Sequence, residues 1–156
     1  YLTWKAREFN YHTRLIEVAG EINNGMPDFV IDRCMQILNT EKKPLNGSKV
    51  VVLGVAYKRD IDDYRESPVI PILEQLDKYG ANWVVIDPHV KQFKFKGGMV
   101  DTVPFDSRLI ETADLILITT DHSAFDYDLI AERAEVVFDT RNSMKGRTMK
   151  GKYYKL

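Results

Sequence analysis

With one cysteine, Cys34, among its 156 residues, the chain cannot close an intrachain disulfide, which fits a reducing, cytoplasmic setting. It also lacks an excess of either charge. Its 22 Lys and Arg stand against 23 Asp and Glu, giving −1, so there is no electrostatic case for nucleic acid or an anionic membrane surface. No apolar run approaches the ~18 residues of a membrane-spanning helix. The start, "YLTWKAREFN", carries neither an initiator methionine nor a leader pattern. A beginning on Tyr1, within a helix-like stretch, leads us to expect a piece of something longer. The three histidines, His12, His89 and His122, are scattered without the paired spacing of a metal site, so no metal is expected. What is present is a globular composition, 44% hydrophobic and 29% charged, long enough for one domain with an appendage.

Residues 1–43 differ from the rest. Leu15, Ile16, Val18, Ala19 and Ile22 cover one broad helical face, and Phe29, Val30, Cys34, Ile37 and Leu38 continue at three- and four-residue steps. Pro27 suits either the first turn of a second helix or a kink in one long helix. Asn and Gly in "GEINNGMP" point to a break or to a close approach of backbones. "NTEKKPLNGS" then reads as a polar linker. From Lys49 the pattern alternates. "KVVVLGV", "NWVVID", "DLILITT" and "EVVFDT" are short apolar runs of the kind buried on both faces of a parallel sheet. Between them lie "VIPILEQLDKYG", opened by Ser67-Pro68 and closed by Gly80, then "DSRLIETA" capped by Asp106 or Ser107, and "DHSAFDYDLIAERA", all helical. "PHVKQFKFKGGMVDTV" reads as irregular with at most one edge strand, and a basic tail ends in a last short strand. Trp4 and Trp83 are expected to pack. The whole reads as α/β: a doubly wound, mainly parallel Rossmann-like sheet over 47–156, preceded by a long helical connecting region over 1–43.

Such sheets bind ligands beyond the carboxyl ends of their strands, here Gly54–Arg65, Asp87–His89, Thr119–His122 and Asp139–Asn142. The dinucleotide fingerprint fails at this edge. Counting from Gly54, Ala56 and Arg59 replace the second and third glycines, and some twelve residues separate strand from helix. Asp87, followed by Pro88, is expected to end its strand in a turn and not to hold a ribose. His122 and Asp121 are expected to cap a helix. The loop is cationic instead: Lys58, Arg59 and Arg65, with Arg141 on the same edge. These either converge on a diphosphate or form surface ion pairs with Asp60, Asp62, Asp63 and Glu66.

The stretches "GVAYKRDIDDYRESP", "VVIDPHV" and "FDTRNSM" resemble the C-terminal domain of the UDP-glucose/GDP-mannose dehydrogenase family, and the helical start is similar to the branch that oxidises UDP-N-acetylhexosamines. The resemblance runs through essentially the whole chain, in order. It implies oxidation of a sugar C6 alcohol to a carboxylate with NAD as cofactor, bound mainly by an N-terminal domain outside this chain. It further implies a UDP-sugar held by Tyr57, Lys58 and Arg141, Arg65 reaching toward the NAD, and a homodimer built through the long helices. The substrate it implies is UDP-N-acetylglucosamine first and UDP-N-acetylmannosamine second.

The family's chemistry needs a cysteine thiolate on a "G-x-C" loop. No such loop occurs here, and Cys34 lies on an amphipathic helix as a core thiol. No catalytic residue is therefore expected in this chain, and it is expected to be inactive alone. The competing reading is a non-catalytic nucleotide or nucleotide-sugar sensor module.

Overall fold

The computed structural model describes residues 2–156. Two helices come first, α1 (Leu2–Glu8) and α2 (Arg14–Thr40). They are followed by β1 (Lys49–Leu53), α3 (Val69–Lys78), β2 (Asn82–Ile86), β3 (Gln92–Phe95) and β4 (Gly98–Asp101). The chain ends with α4 (Ser107–Thr112), β5 (Leu115–Ile118), α5 (Tyr127–Arg133), β6 (Val136–Asp139) and β7 (Lys152–Lys155). Five strands form one sheet in the order β2-β1-β5-β6-β7, every pairing parallel, so the α/β reading holds. The chain steps from β1 outward to β2, then crosses back to β5 on the other side of β1. That reversal opens a crevice at the carboxyl ends of β1 and β5.

The apolar runs are continuous because both sheet faces are covered. Val50 and Val52 of β1 point into a core shared with α2 and α3, while Val51 and Leu53 point into a second core with α4 and α5. In α3, Val69, Ile72, Leu73 and Leu76 are buried at helical spacing, each contributing about 1.5–3 kcal/mol by burial. The α3 helix starts at Val69, whose N–H donates to the Ser67 hydroxyl, and ends at Lys78, with Gly80 at φ +74 two residues beyond.

Three local features settle or depart from the sequence reading. First, of the two places open to Pro27, the structure takes the one long helix: α2 runs through Pro27, which is buried and cannot donate to the Asn23 carbonyl. Neither Gly20 nor Gly25 approaches another backbone. Second, "KQFKFKGGMVD" folds as a hairpin of β3 and β4, with Phe93 and Phe95 buried and the lysines outward. Trp83 packs edge-on against Phe95 at 5.2 Å, whereas Trp4 is exposed. Third, residues 121–126 form a loop, because Asp126 caps α5 by accepting from the Leu129 N–H. The C-terminal half of α2 (Val30, Ile31, Cys34, Ile37 and Leu38) belongs to the core under the sheet, and burial pushes the Cys34 thiol up to about 12. That value describes an inert core thiol.

Candidate binding cleft at the carboxyl edge of the sheet

A cleft of about 790 Å³ opens beyond the carboxyl ends of β1, β5 and β6, a size ordinary for small-molecule sites of ~300–1,000 Å³. Tyr57, Ser67, Thr119 and Arg141 line it from the sheet side, and Asn23 and Pro27 of α2 form the opposite wall. Of the residues expected to hold a nucleotide sugar, Tyr57 and Arg141 face this cleft, 49% and about half exposed. Lys58 does not line it; the side chain is exposed, with its ammonium 5.5 Å from the centre of the Tyr57 ring. The Arg141 guanidinium donates to Asp121 at 3.4 Å, and Asp121 also lies 3.7 Å from Arg59. One carboxylate thus stands between two arginines at the mouth. Arg141 itself sits in a turn fixed by Asp139, whose two oxygens accept from the Arg141 and Met144 N–H groups.

Arg65 projects from the outer side of the same loop, 82% exposed. Its guanidinium and its backbone N–H both donate to Asp63, which holds the Asp63 carboxyl down at about 2 and pushes the guanidinium up. Of the acidic partners the loop offers, Arg65 takes Asp63. Being so exposed, the pair adds little to stability.

The loop following β1 is ordered by groups that sequence reasoning did not assign. Gly54 has φ +91, and a Cβ there would lie 2.5 Å from the Thr120 Cβ and 2.7 Å from its carbonyl oxygen. This glycine is required by the approach of the β5 loop. The Thr119 and Thr120 hydroxyls donate to the carbonyls of Gly54 and Ala56. Asp87, at the end of β2, accepts from the Val55 and Ala56 N–H groups through one oxygen and from the His89 and Val90 N–H groups through the other. It ends its strand in a turn, as expected, and also grips the neighbouring loop. Burial pushes its carboxyl up, but hydrogen bonds from His122 and from three backbone amides outweigh it and hold the group at about 2.

His122 corrects two expectations. It caps no helix; its ring is fully buried, with Nε2 3.1 Å from Asp87 Oδ2 and Nδ1 accepting from the Asp60 N–H at 2.9 Å. Nor are all three histidines scattered, since the rings of two of them, His89 and His122, lie 4.9 Å apart beside Asp60. Asp60, His89 and His122 offer ligand atoms within 4.8 Å of one another. Yet the Nδ1 lone pair already accepts the Asp60 N–H, so two donors remain, short of a built metal site. The signal that could have found this cluster was positional: His89 and His122 each follow a strand's carboxyl end by a few residues.

This edge does not fit a dinucleotide pyrophosphate. The amides of Val55 and Ala56, where a phosphate-binding turn would present its donors, face Asp87. The positive charge at this edge is carried by side chains, with Arg59 and Arg141 both paired to Asp121.

The family model described as "UDP-glucose/GDP-mannose dehydrogenase family, UDP binding domain" matches residues 51–146. The chain belongs to this family. It is 29% identical to a UDP-N-acetyl-D-mannosamine dehydrogenase of Methanococcus maripaludis, over 98% of this chain and 36% of that protein. It is 33% identical to an NDP-N-acetyl-D-galactosaminuronic acid dehydrogenase of Ralstonia nicotianae, over 82% of this chain and 30% of that one. Among solved structures, the UDP-N-acetyl-mannosamine dehydrogenase of Staphylococcus aureus superposes with a TM-score of 0.72 at 36% identity, over 92% of this chain and 33% of that chain. The chain thus spans about a third of the length of these relatives. Among the described residues, no helix is long and apolar enough to cross a membrane.

Proposed function

We propose that this chain is the UDP-sugar-binding part of an NAD-dependent nucleotide-sugar 6-dehydrogenase, cytoplasmic, and inactive without its cofactor domain and nucleophile. The observation that carries the reading is the cleft at the switch point, walled by Tyr57 and Arg141 and flanked by Lys58, in a loop whose amides face a carboxylate. Arg141 forks around diphosphate oxygens, displacing Asp121, and Lys58 supplies a point charge or a sugar hydrogen bond. Arg65 serves the cofactor side, swinging off Asp63 to meet an NAD held by another domain. NAD supplies hydride acceptance when bound; these residues only bind and orient. The named relatives favour UDP-N-acetylmannosamine over its C2 epimer UDP-N-acetylglucosamine.

In this reading residues 1–43 connect and dimerise, and 47–156 bind the nucleotide sugar. The exposed stripe of Leu15, Ile16, Val18 and Ile22 supports a homodimer. Calorimetric titration of UDP tests the site: wild type should bind, and Arg141→Ala should weaken binding severalfold or more. Equal binding by both would sink the assignment. With any UDP-sugar and NAD+, this chain alone should yield no NADH; production that scales with protein concentration would refute its inactivity.

A further inference from the structure

The segment Val55–Asp60 carries Tyr57, Lys58 and Arg59 as three consecutive exposed residues between two fixed ends. At one end, Asp87 accepts from the Val55 and Ala56 N–H groups. At the other, the Asp60 N–H donates to His122 Nδ1, and the Asp60 carboxylate accepts from the Ser123 N–H at 2.8 Å. The two ends are joined through one buried contact, His122 Nε2 to Asp87 Oδ2. Because Nδ1 accepts a backbone N–H, the ring proton must sit on Nε2, and Nε2 donates to the Asp87 carboxylate. The tautomer thus follows from the hydrogen bonds. Asp60 has φ +58, an uncommon conformation for a residue with a side chain, which persists where its surroundings impose it. His122 and Ser123 impose it here.

We infer that His122 is a positioning residue for the nucleotide-sugar loop, its Nδ1 latching Asp60 so that Tyr57 and Lys58 are presented to the ligand in one arrangement. This rests on the UDP-site reading above and deepens it. The physical effect is pre-organisation. An exposed loop free to sample many backbone conformations binds in proportion to the fraction of time it spends in the competent one. Releasing the Asp60 end lowers that fraction without touching any group that meets the ligand.

Two substitutions separate the latch from mere packing. The amide oxygen of Asn occupies the place of Nδ1, so His122→Asn keeps an acceptor for the Asp60 N–H and loses the Asp87 bond. His122→Gln places an amide N–H near Nε2, keeping the Asp87 bond and losing the latch. Both lose the ring's packing against His89 and Phe125, so both should melt earlier by similar amounts. UDP titration should show His122→Asn within about threefold of wild type and His122→Gln about tenfold weaker. Equal weakening in the two, or weakening that only tracks the melting temperature, overturns the latch while leaving the UDP site intact. Nitrogen NMR of the wild type needs no variant and no ligand. An unprotonated Nδ1 with a through-hydrogen-bond coupling to the Asp60 amide supports the latch; a proton on Nδ1 overturns it, even if UDP fails to bind and the site reading falls separately.

Discussion

Replacing Gly54 by alanine tests the geometry of the binding edge without reference to any ligand. The added methyl meets two obstacles. At φ +91 an L-residue is strained, at a cost of about 1–2 kcal/mol. The Cβ would also stand 2.5 Å from the Thr120 Cβ, 2.7 Å from its carbonyl oxygen and 3.0 Å from its Cα. Two of these three atoms are backbone, so no flexible side chain can swing away. Thr120 begins the loop that carries His122 and is itself tied to Ala56, so relief requires moving one strand end against the other, roughly a further 1–3 kcal/mol. The sum, about 3 kcal/mol, is a drop of roughly 6–12 °C in melting temperature for a chain of this size. Thermal unfolding followed by circular dichroism measures it, and Thr120→Gly in the Gly54→Ala background should recover part of the loss. A single substitution that melts within 1 °C of wild type would refute the close approach of the β1 and β5 loops.

Other outcomes follow from the same geometry. Arg141→Ala and Lys58→Ala should each weaken UDP binding roughly ten- to hundredfold by calorimetry, the value of a hydrogen bond to a charged group. Arg65→Ala, on the outer rim, should leave UDP affinity unchanged. The Asp87 carboxyl, held at about 2 against an ordinary 3.8, contributes on the order of 2 kcal/mol that is fully present above about pH 4 and lost as pH falls toward 2. Urea denaturation should therefore show a smaller loss of stability between pH 4.5 and 2.5 for Asp87→Asn than for wild type, from a lower starting value; parallel curves would refute the shift. Leu15→Asp with Ile22→Asp should convert a dimer to a monomer in light scattering at little cost to folding, since these side chains are 85% and 60% exposed. A wild type already monomeric at high concentration would dismiss that interface.

The sheet was legible because its signal is local. Runs such as "VVVL" and "LILI" are apolar on both faces only where both faces are covered, and Ser67-Pro68 and Gly80 mark the ends of α3 by their own backbone preferences. The stretch Asp121–Asp126 misled, because Ala124 and Phe125 continue a helical spacing while Asp126 starts the helix later by capping it. Phe125 is buried as a loop residue against His122. The hydrogen-bond partners of His122 could not be read, since they lie 35 and 62 positions away and meet only after β1, β2 and β5 are in register. Strand-end position pointed to the right neighbourhood, but which nitrogen faces which group is a property of the assembled edge. Lys58 shows the converse: the motif places it in the loop, while its side chain stacks along Tyr57 outside the cleft walls.

The loop at the switch point explains why one glycine suffices where a dinucleotide fold uses three. In the phosphate-binding turn, later glycines let backbone amides come up against a pyrophosphate at a helix N-terminus. Here the amides of Val55 and Ala56 already face an anion, the buried carboxylate of Asp87, held charged by those amides and by His122. An external phosphate offered to the same amides would meet a like charge inside the protein, so positive charge must arrive from elsewhere. In the proposed site it would come from long side chains, Lys58 from the loop itself and Arg141 from the next strand but one, and Asp121 pairs with both Arg59 and Arg141. Once the internal carboxylate has taken the backbone donors, close backbone approach to a ligand no longer matters and side chains at Ala56 and Arg59 cost nothing. Gly54 alone remains, because its constraint comes from Thr120 and not from phosphate.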